Sequence, residues 1–538
     1  MAEDAARFDY IVIGAGSAGC VVAGRLAGAG HSVLLLEAGG RDRSPWIHIP
    51  MGYAKLYANP AVNWCFRSEP EPGLDGRSLF QPRGKVLGGT GSINGMIYVR
   101  GQPEDFDGWR DAGCIGWGFE DVLPVFKKCE HQQRGADEWH GTGGPVWVSD
   151  LPSRHPLADA FCAASERLGA PRNEDFNGAT QEGTGYVQVT TRKARRWSTA
   201  AAYLRGPRAE RIETVLRALV KRIDVEGGRA VGVTYSVRGG RDRTARAGAE
   251  VILCGGTFAS PQILQLSGIG SGDRLAAFDI PVVRDLPGVG ENLQDHFGIG
   301  LEYRSNAPIT VNDLANSLVK RTTAMARYLL FRSGPMASNG NYANTFIRTG
   351  PRIDRPDMMI TFMAWCTGED LQPRPFSGFT ILAEHIRPES RGHVRLTGPD
   401  ATAPPGIRFN FLQSETDKQA ALAGLRHSRR ISETEPMKGY VEAEINPGPD
   451  KTGDEDLLAH CRASGLSLLH PVGTCRMGPA GDAGAVVDTR LRVHGIERLR
   501  VVDASIMPRI VSGNTNAATI MIGEKGADMI LEDARAGA

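Results

Sequence analysis

From Phe8 to Ile13 the chain reads FDYIVI, apolar and β-branched after a single Asp, the signature of a short strand buried in a parallel sheet. Gly14-Ala15-Gly16-Ser17-Ala18-Gly19 follows at once, and CVVAGRLAG then repeats apolar residues at helical spacing. His31 and Ser32 lead into Val33-Leu34-Leu35-Leu36, which closes on Glu37. Strand, Gly-rich turn, helix and strand within about 30 residues make a βαβ unit, the opening of a doubly wound sheet. Residues 70–150 hold no sustained period and read as loop-rich. Leu219–Val225, Ala230–Val237 and Glu250–Leu253 predict strands separated by Gly-containing turns. Between 302 and 460 the pattern changes, with a helical stretch near 313–331 and apolar runs at 358–366 and 378–387. That block predicts a second domain on an antiparallel sheet. Beyond 466 come Gly/Asn-rich loops, a strand at Leu499–Val502 and a closing helix, Asn516–Glu532, so the chain returns to its first domain.

Glycine changes the picture first: 67 of 538 residues is well above the usual ~7% and implies many tight turns or close backbone approaches. A net charge of +1 excludes a sequence-independent nucleic-acid binder, which would be markedly basic. Nine cysteines, odd in number and without a CxxC pair, indicate neither a disulfide framework nor zinc, so no metal is expected and a reducing compartment fits. MAEDAARFDY has no basic-then-apolar leader, and no run of about 18 apolar residues spans a membrane. The expected location is cytoplasmic, with peripheral membrane contact left open.

Gly14 permits the turn after the first strand, Gly16 lets backbone approach a pyrophosphate, and Gly19 lets the helix pack on the sheet. Glu37, 18 residues after Gly19, stands where a carboxylate accepts both hydroxyls of a ribose. An acid there disfavours NADP; NAD and FAD remain undivided by this motif.

Gly84-KVLGGTGSINGMIYVR-Gly101 resembles the first signature of the glucose–methanol–choline (GMC) oxidoreductase family, and Gly256-TFASPQILQLSGI-Gly270 resembles its second. The resemblance implies FAD, an α/β fold with a discontinuous Rossmann-type FAD-binding domain (1–155, 191–300, 461–538) and an α+β substrate-binding domain (156–190, 301–460) with an antiparallel sheet. It implies oxidation of a primary alcohol to an aldehyde with hydride passing to flavin N5. Asn94 resembles the residue at the flavin edge, and no His stands in its loop, so the FAD should be non-covalent. The implied cofactor-binding set adds Ser17, Ala18, Ala38, Val86, Gly91, Gly95, Met96, Ile97, Val220, Asp503, Ala504, Thr515 and Asn516. Leu469-His470-PVGTCRMG looks like the loop of the catalytic base, and Gly513-Asn514-Thr515-Asn516, 44 residues on, like that of its partner. The chemistry needs such a pair. An imidazole takes the hydroxyl proton as hydride leaves, and an amide orients the hydroxyl without competing as a base. Trp365, Leu468 and Leu469 are the candidates to wall the substrate pocket, and Cys475 reads as packing. The run Arg192-Lys193-Ala194-Arg195-Arg196 reads as a solvated face.

The electron acceptor is O₂ in an oxidase, or a quinone or other carrier in a dehydrogenase. The resemblance is broadest to bacterial choline- and alcohol-dehydrogenase-like members, which favours the dehydrogenase. A redox-silent, FAD-containing hydroxynitrile lyase-like enzyme is the alternative class, against which Asn514 argues because those enzymes pair two histidines.

Overall fold

The computed structural model describes residues 6–368 and 372–536; residues 1–5, half of the N-terminal stretch read above as no leader, lie outside them. In chain order the main strands are β1 (Ala6–Ile13), β2 (Val33–Glu37), β3 (Gly183–Tyr186), β4 (Ile212–Leu216), β5 (Ala218–Glu226), β6 (Arg229–Val237) and β7 (Asp242–Leu253). They continue with β8 (Phe297–Ser305), β9 (Asn341–Ile347), β10 (Met358–Met363), β11 (Gly378–His385), β12 (Val441–Asn446), β13 (Leu466–Ser467) and β14 (Leu499–Val501). The main helices are α1 (Ser17–Gly28), α2 (Pro103–Asp111), α3 (Phe119–Cys129), α4 (Pro156–Arg167), α5 (Gly256–Leu266), α6 (Leu318–Phe331), α7 (Glu415–Glu433) and α8 (Asn516–Ala536).

One sheet runs β4-β2-β1-β7-β6-β5, with β14 also paired to β7. Its centre is parallel, Tyr10 opposite Val33 and Ile13 opposite both Leu36 and Leu253. The β-branched residues of β1 and β2 are therefore buried on both faces, as a parallel strand flanked by helices requires. Gly14 turns the chain at φ +95°, and a Cβ there would collide with the Cys254 carbonyl. A Cβ on Gly19 would overlap the Gly14 carbonyl, so α1 sits close enough to the sheet only with glycine there. Helix α8 crosses α1, with Gly523 against Ala18 and Val21. Arg25 of α1 pairs with Glu524 and Asp528.

The second sheet, β12-β8-β11-β10-β9-β3 with β13 beside β8, is antiparallel throughout. Alternation along its strands splits it into two working faces. Phe379, Ile381 and Ala383 of β11 and Met358, Ile360 and Phe362 of β10 enter a core shared with α4 and α7. Leu382 and Glu384, with Met359, Thr361 and Met363, face a cavity instead.

Two readings of the sequence change. The stretch 70–150 is not merely loops, because α2 and α3 bury Phe106, Trp109, Val122, Val125 and Phe126 at helical spacing. Pro at the start of α2, Pro124 within α3 and nearby glycines masked that period. Strand β7 begins at Asp242, eight residues before the apolar stretch, because its polar first half pairs with β6 at the exposed side of the sheet.

Candidate active site

A cavity of about 1040 Å³ lies between the carboxyl ends of the parallel strands and the inner face of the antiparallel sheet, where open α/β sheets take their ligands. Gly14, Gly16, Ser17, Ala18, Glu37, Ala38 and Val220 line one end. Asn94, Gly95, Met96, Ile97, Asp503, Ala504, Thr515 and Asn516 also line it, as do Trp365, Leu468, Leu469, His470 and Asn514. Gly19, Val86 and Gly91 stand behind the wall. Gly19 packs α1 on its own turn. Val86 is fully buried and its main chain bridges Gly40. The Gly91 carbonyl accepts from Arg196 (3.1 Å).

The nucleotide end is mostly backbone. Gly16 caps α1 without a side chain, and open space lies where its Cβ would stand, leaving the positive end of the helix free for phosphates. Ser17 donates to the Asn516 side chain (2.7 Å), tying α1 to α8. The buried Glu37 carboxylate accepts from the amides of Ala15 (3.0 Å) and Gly39 (2.7 Å). Burial pushes its carboxyl up to about 7, against those two hydrogen bonds. These features fit FAD: an open glycine cradle at a helix N-terminus, and a carboxylate at the end of the second strand.

Asp503 lines the cavity but spends itself inward. Oδ2 accepts from the Gly256 amide (2.8 Å) and Ser260 hydroxyl (2.6 Å). Oδ1 accepts from the Ser505 amide (2.8 Å) and hydroxyl (2.5 Å). It fastens the start of α5 to the segment after β14.

At the other end, side chains from four distant segments converge. Asn514 Nδ2 lies 2.9 Å from His470 Nε2, while Asn514 Oδ1 is buried without a partner. On its far side, His470 Nδ1 is 3.1 Å from His296 Nδ1 and 3.3 Å from Glu384 Oε1; His296 Nδ1 is 2.9 Å from the same oxygen. His296 and Glu384 are 0% and 1% exposed, His470 12%. An amide N–H toward Nε2 leaves that nitrogen its lone pair, so the His470 proton sits on Nδ1, facing Glu384. His296 Nε2 is buried without a partner. Both imidazole Nδ1 atoms thus lie within ion-pair distance of one Glu384 oxygen, although neither is aligned to hydrogen-bond it. Burial alone would raise the Glu384 carboxyl; the two imidazoles outweigh it and hold it at about 2, ionised throughout the physiological range.

The backbone of this loop is pinned as firmly. Asp295 accepts the His470 amide (2.8 Å) and the Ser467 hydroxyl, and Arg83 donates to the Leu469 carbonyl (2.8 Å). Leu469 is held at φ +67° and Met96 at φ +64°, conformations that non-glycine residues adopt only when their surroundings enforce them. Leu468 packs on Gly298, where a Cβ would displace it. Trp365 lies just past β10 and faces the cavity.

Four residues here escaped the sequence reading. Glu384 carried a signal, a charge inside the apolar run GFTILAEH, since a buried carboxylate must have a partner. His296 and Asp295 follow the loop GVGENLQ with no pattern to single them out. Arg196 corrects the solvated-face reading of 192–196. Arg192, Lys193 and Arg195 are exposed, but Arg196 is buried and donates to the Asn94 side chain (2.6 Å) and carbonyl (2.6 Å), bracing the loop that carries Asn94. Cys475 is fully buried, as packing requires.

Residues 8–298 and 388–523 match the N- and C-terminal family models described as GMC oxidoreductase. The chain is 41% identical over 525 residues to an oxygen-dependent choline dehydrogenase of Sinorhizobium medicae, covering 97% of this chain and 95% of that one. It is 40% identical to an alcohol dehydrogenase [acceptor] of Pseudomonas putida, covering 97% and 96%. Among solved structures, pyridoxine 4-oxidase from Mesorbium loti superposes with a TM-score of 0.87 at 31% identity, covering 97% and 98%. The lyase alternative draws no support from these relatives.

Proposed function

The chain belongs to the GMC oxidoreductase family, as an FAD-dependent oxidoreductase acting on CH–OH donors, and from that premise we propose that its substrate is an uncharged alcohol with an apolar body. One observation carries this reading. Among the described residues four carboxylates line the cavity, and each is already engaged. Glu37 takes two amides, Glu69 pairs with Arg408 (3.0 Å), Glu384 faces two imidazoles, and Asp503 holds four donors. A quaternary ammonium would find only Glu384 without a hydrogen bond, set behind the two imidazoles, whereas Met359, Met363, Leu382, Leu468 and Leu469 offer an apolar wall. The reading departs from the choline named in the relatives and approaches the broader alcohol class.

Bound without a covalent link, FAD supplies the hydride acceptor for this chemistry. Gly14, Gly16, Ser17 and Ala18 would hold its pyrophosphate, Glu37 its ribose, and Asn94–Ile97 its ring system. His470 Nε2 takes the hydroxyl proton while Asn514 Nδ2 donates to the alcohol oxygen, so both groups address one atom. Glu384 keeps the other His470 proton on Nδ1 and stabilises the imidazolium that forms, the role of an orienting acid behind a catalytic histidine. His296 fills the space beside it and fixes the Glu384 oxygen from a second direction. Asp295 keeps the ring from swinging by holding its backbone.

An anaerobic spectrum of the purified protein with long-chain aliphatic, aromatic and choline substrates tests the proposal. Bleaching of the oxidised-flavin band by an aliphatic or aromatic alcohol, with choline inert, is expected. Bleaching by choline alone refutes the apolar-substrate reading. Admitting air then separates O₂ from another acceptor by the speed at which the band returns.

A further inference from the structure

We propose that α6 is a docking face for an anionic lipid bilayer. This 14-residue helix is anchored on one side only, through Ala324 and Tyr328, in a small core with Ile49, Met336 and Ala337. Its outward side carries Leu318, Val319, Leu329 and Leu330, and Phe331 stands at its C-terminal end; all five are 59–74% exposed. Among the described residues these are half of the ten exposed large apolar side chains, gathered on one short element. At 3.6 residues per turn, Leu318, Leu329, Ala326, Val319 and Leu330 fall on one arc of about a third of the circumference, interrupted only by Thr322, opposite Ala324 and Tyr328. A face of this kind on a monomer marks a contact surface.

Charge selects the occupant. Lys320 and Arg327 flank one side of the arc, Arg321 and Arg332 the other, and all four are exposed. Among the described residues none of them forms an ion pair, and no Asp or Glu occurs from 314 to 353. The Tyr328 hydroxyl donates to the Ala194 carbonyl (3.0 Å), which sets the exposed Lys193 and Arg195 beside the same helix. The chain as a whole carries only +1, so this is a local concentration of positive charge around an apolar stripe. An apolar arc bordered by cations matches the boundary between acyl chains and anionic headgroups, into which such helices lie flat. A protein partner would need an acidic rim around an apolar groove, and a second copy would bring cations against cations.

Sedimentation of the full-length, FAD-loaded protein with vesicles tests this. Binding is expected to vesicles of equal parts phosphatidylglycerol and phosphatidylcholine. It should be at least about tenfold weaker on pure phosphatidylcholine or in about 0.5 M salt. The double variant Leu329→Asp/Leu330→Asp should lose it while keeping its flavin absorbance and melting temperature. Lys320→Gln/Arg327→Gln, which leaves the apolar arc intact, should weaken binding to the anionic vesicles alone. The proposal fails if neither vesicle binds, or if the Asp variant binds as well as the parent. It fails equally if sedimentation velocity shows a dimer that this variant dissociates, which would assign the face to a second copy.

Discussion

At the nucleotide end of the cavity the groups that face a ligand are mostly main-chain amides and a bare helix terminus, from the stretch Gly14–Ala38, with the Glu37 carboxylate and Val220 beside them. At the reaction end they are side chains, His470, Asn514, Glu384 and His296, brought together from a loop, the turn before α8, a central strand and the residue just before β8. The first end is shaped by what is missing, the Cβ atoms of Gly14, Gly16 and Gly19. The second is shaped by what is compensated, a buried carboxylate that would be untenable without two imidazoles. Removing an atom should therefore harm the reaction end, and adding one should harm the nucleotide end.

The largest effect expected is from an added methyl. Gly19→Ala forces α1 off the sheet, and the protein should purify with less than about a tenth of its flavin, read from the 450-to-280 nm absorbance ratio; full loading would show that the close packing is dispensable. His470→Ala should retain flavin yet slow its anaerobic reduction by about 10²–10⁴-fold. An unchanged rate would remove His470 from the chemistry. Glu384→Gln should lower the reduction rate by about 10–100-fold with little change in KM, because it frees the His470 tautomer without touching substrate. Partial rescue by Glu384→Asp would distinguish positioning from collapse of the site.

The smallest effect is a pH dependence. In the cofactor-free protein burial pushes the Glu37 carboxyl up to about 7. Ribose hydroxyls donate more strongly to the carboxylate than to the protonated acid, so FAD binds the ionised form preferentially and releases a proton on binding below that pH. FAD affinity measured by fluorescence should rise with pH and level off above about 7, with a slope of at most about tenfold per unit below it. Glu37→Gln should flatten the curve; an unaltered slope would assign the titration elsewhere.

The same contrast explains what the sequence made legible. A backbone-built site must be contiguous, and its glycines advertise it: the βαβ unit, the Gly84–Gly101 loop and the strand ends could all be read directly. His470 and Asn514 were reachable because each sits in a recognisable loop. Glu384 carried only the signal of a charge inside an apolar run, and His296 none, because nothing local says that alternate residues of β11 point into a cavity rather than a core. That follows only once the antiparallel sheet has a helical layer, α4 and α7, on its other face. Arg196 was misread for a related reason, since a run of cations does not reveal that its last member turns inward to hold Asn94. The helices at 103–129 were obscured by proline and glycine near their turns, although their aromatic spacing was helical.

The packing of α8 across α1 has a consequence in time. A ribosome adding about 5–20 residues per second delivers α8 roughly 25–100 s after α1. Throughout that interval Ala18 and Val21 lack the helix they pack against, Arg25 lacks Glu524 and Asp528, and Ser17 lacks Asn516. The first βαβ unit is thus synthesised long before the helix that completes it, and nascent chains stalled before residue 516 should neither retain flavin nor stay free of chaperones.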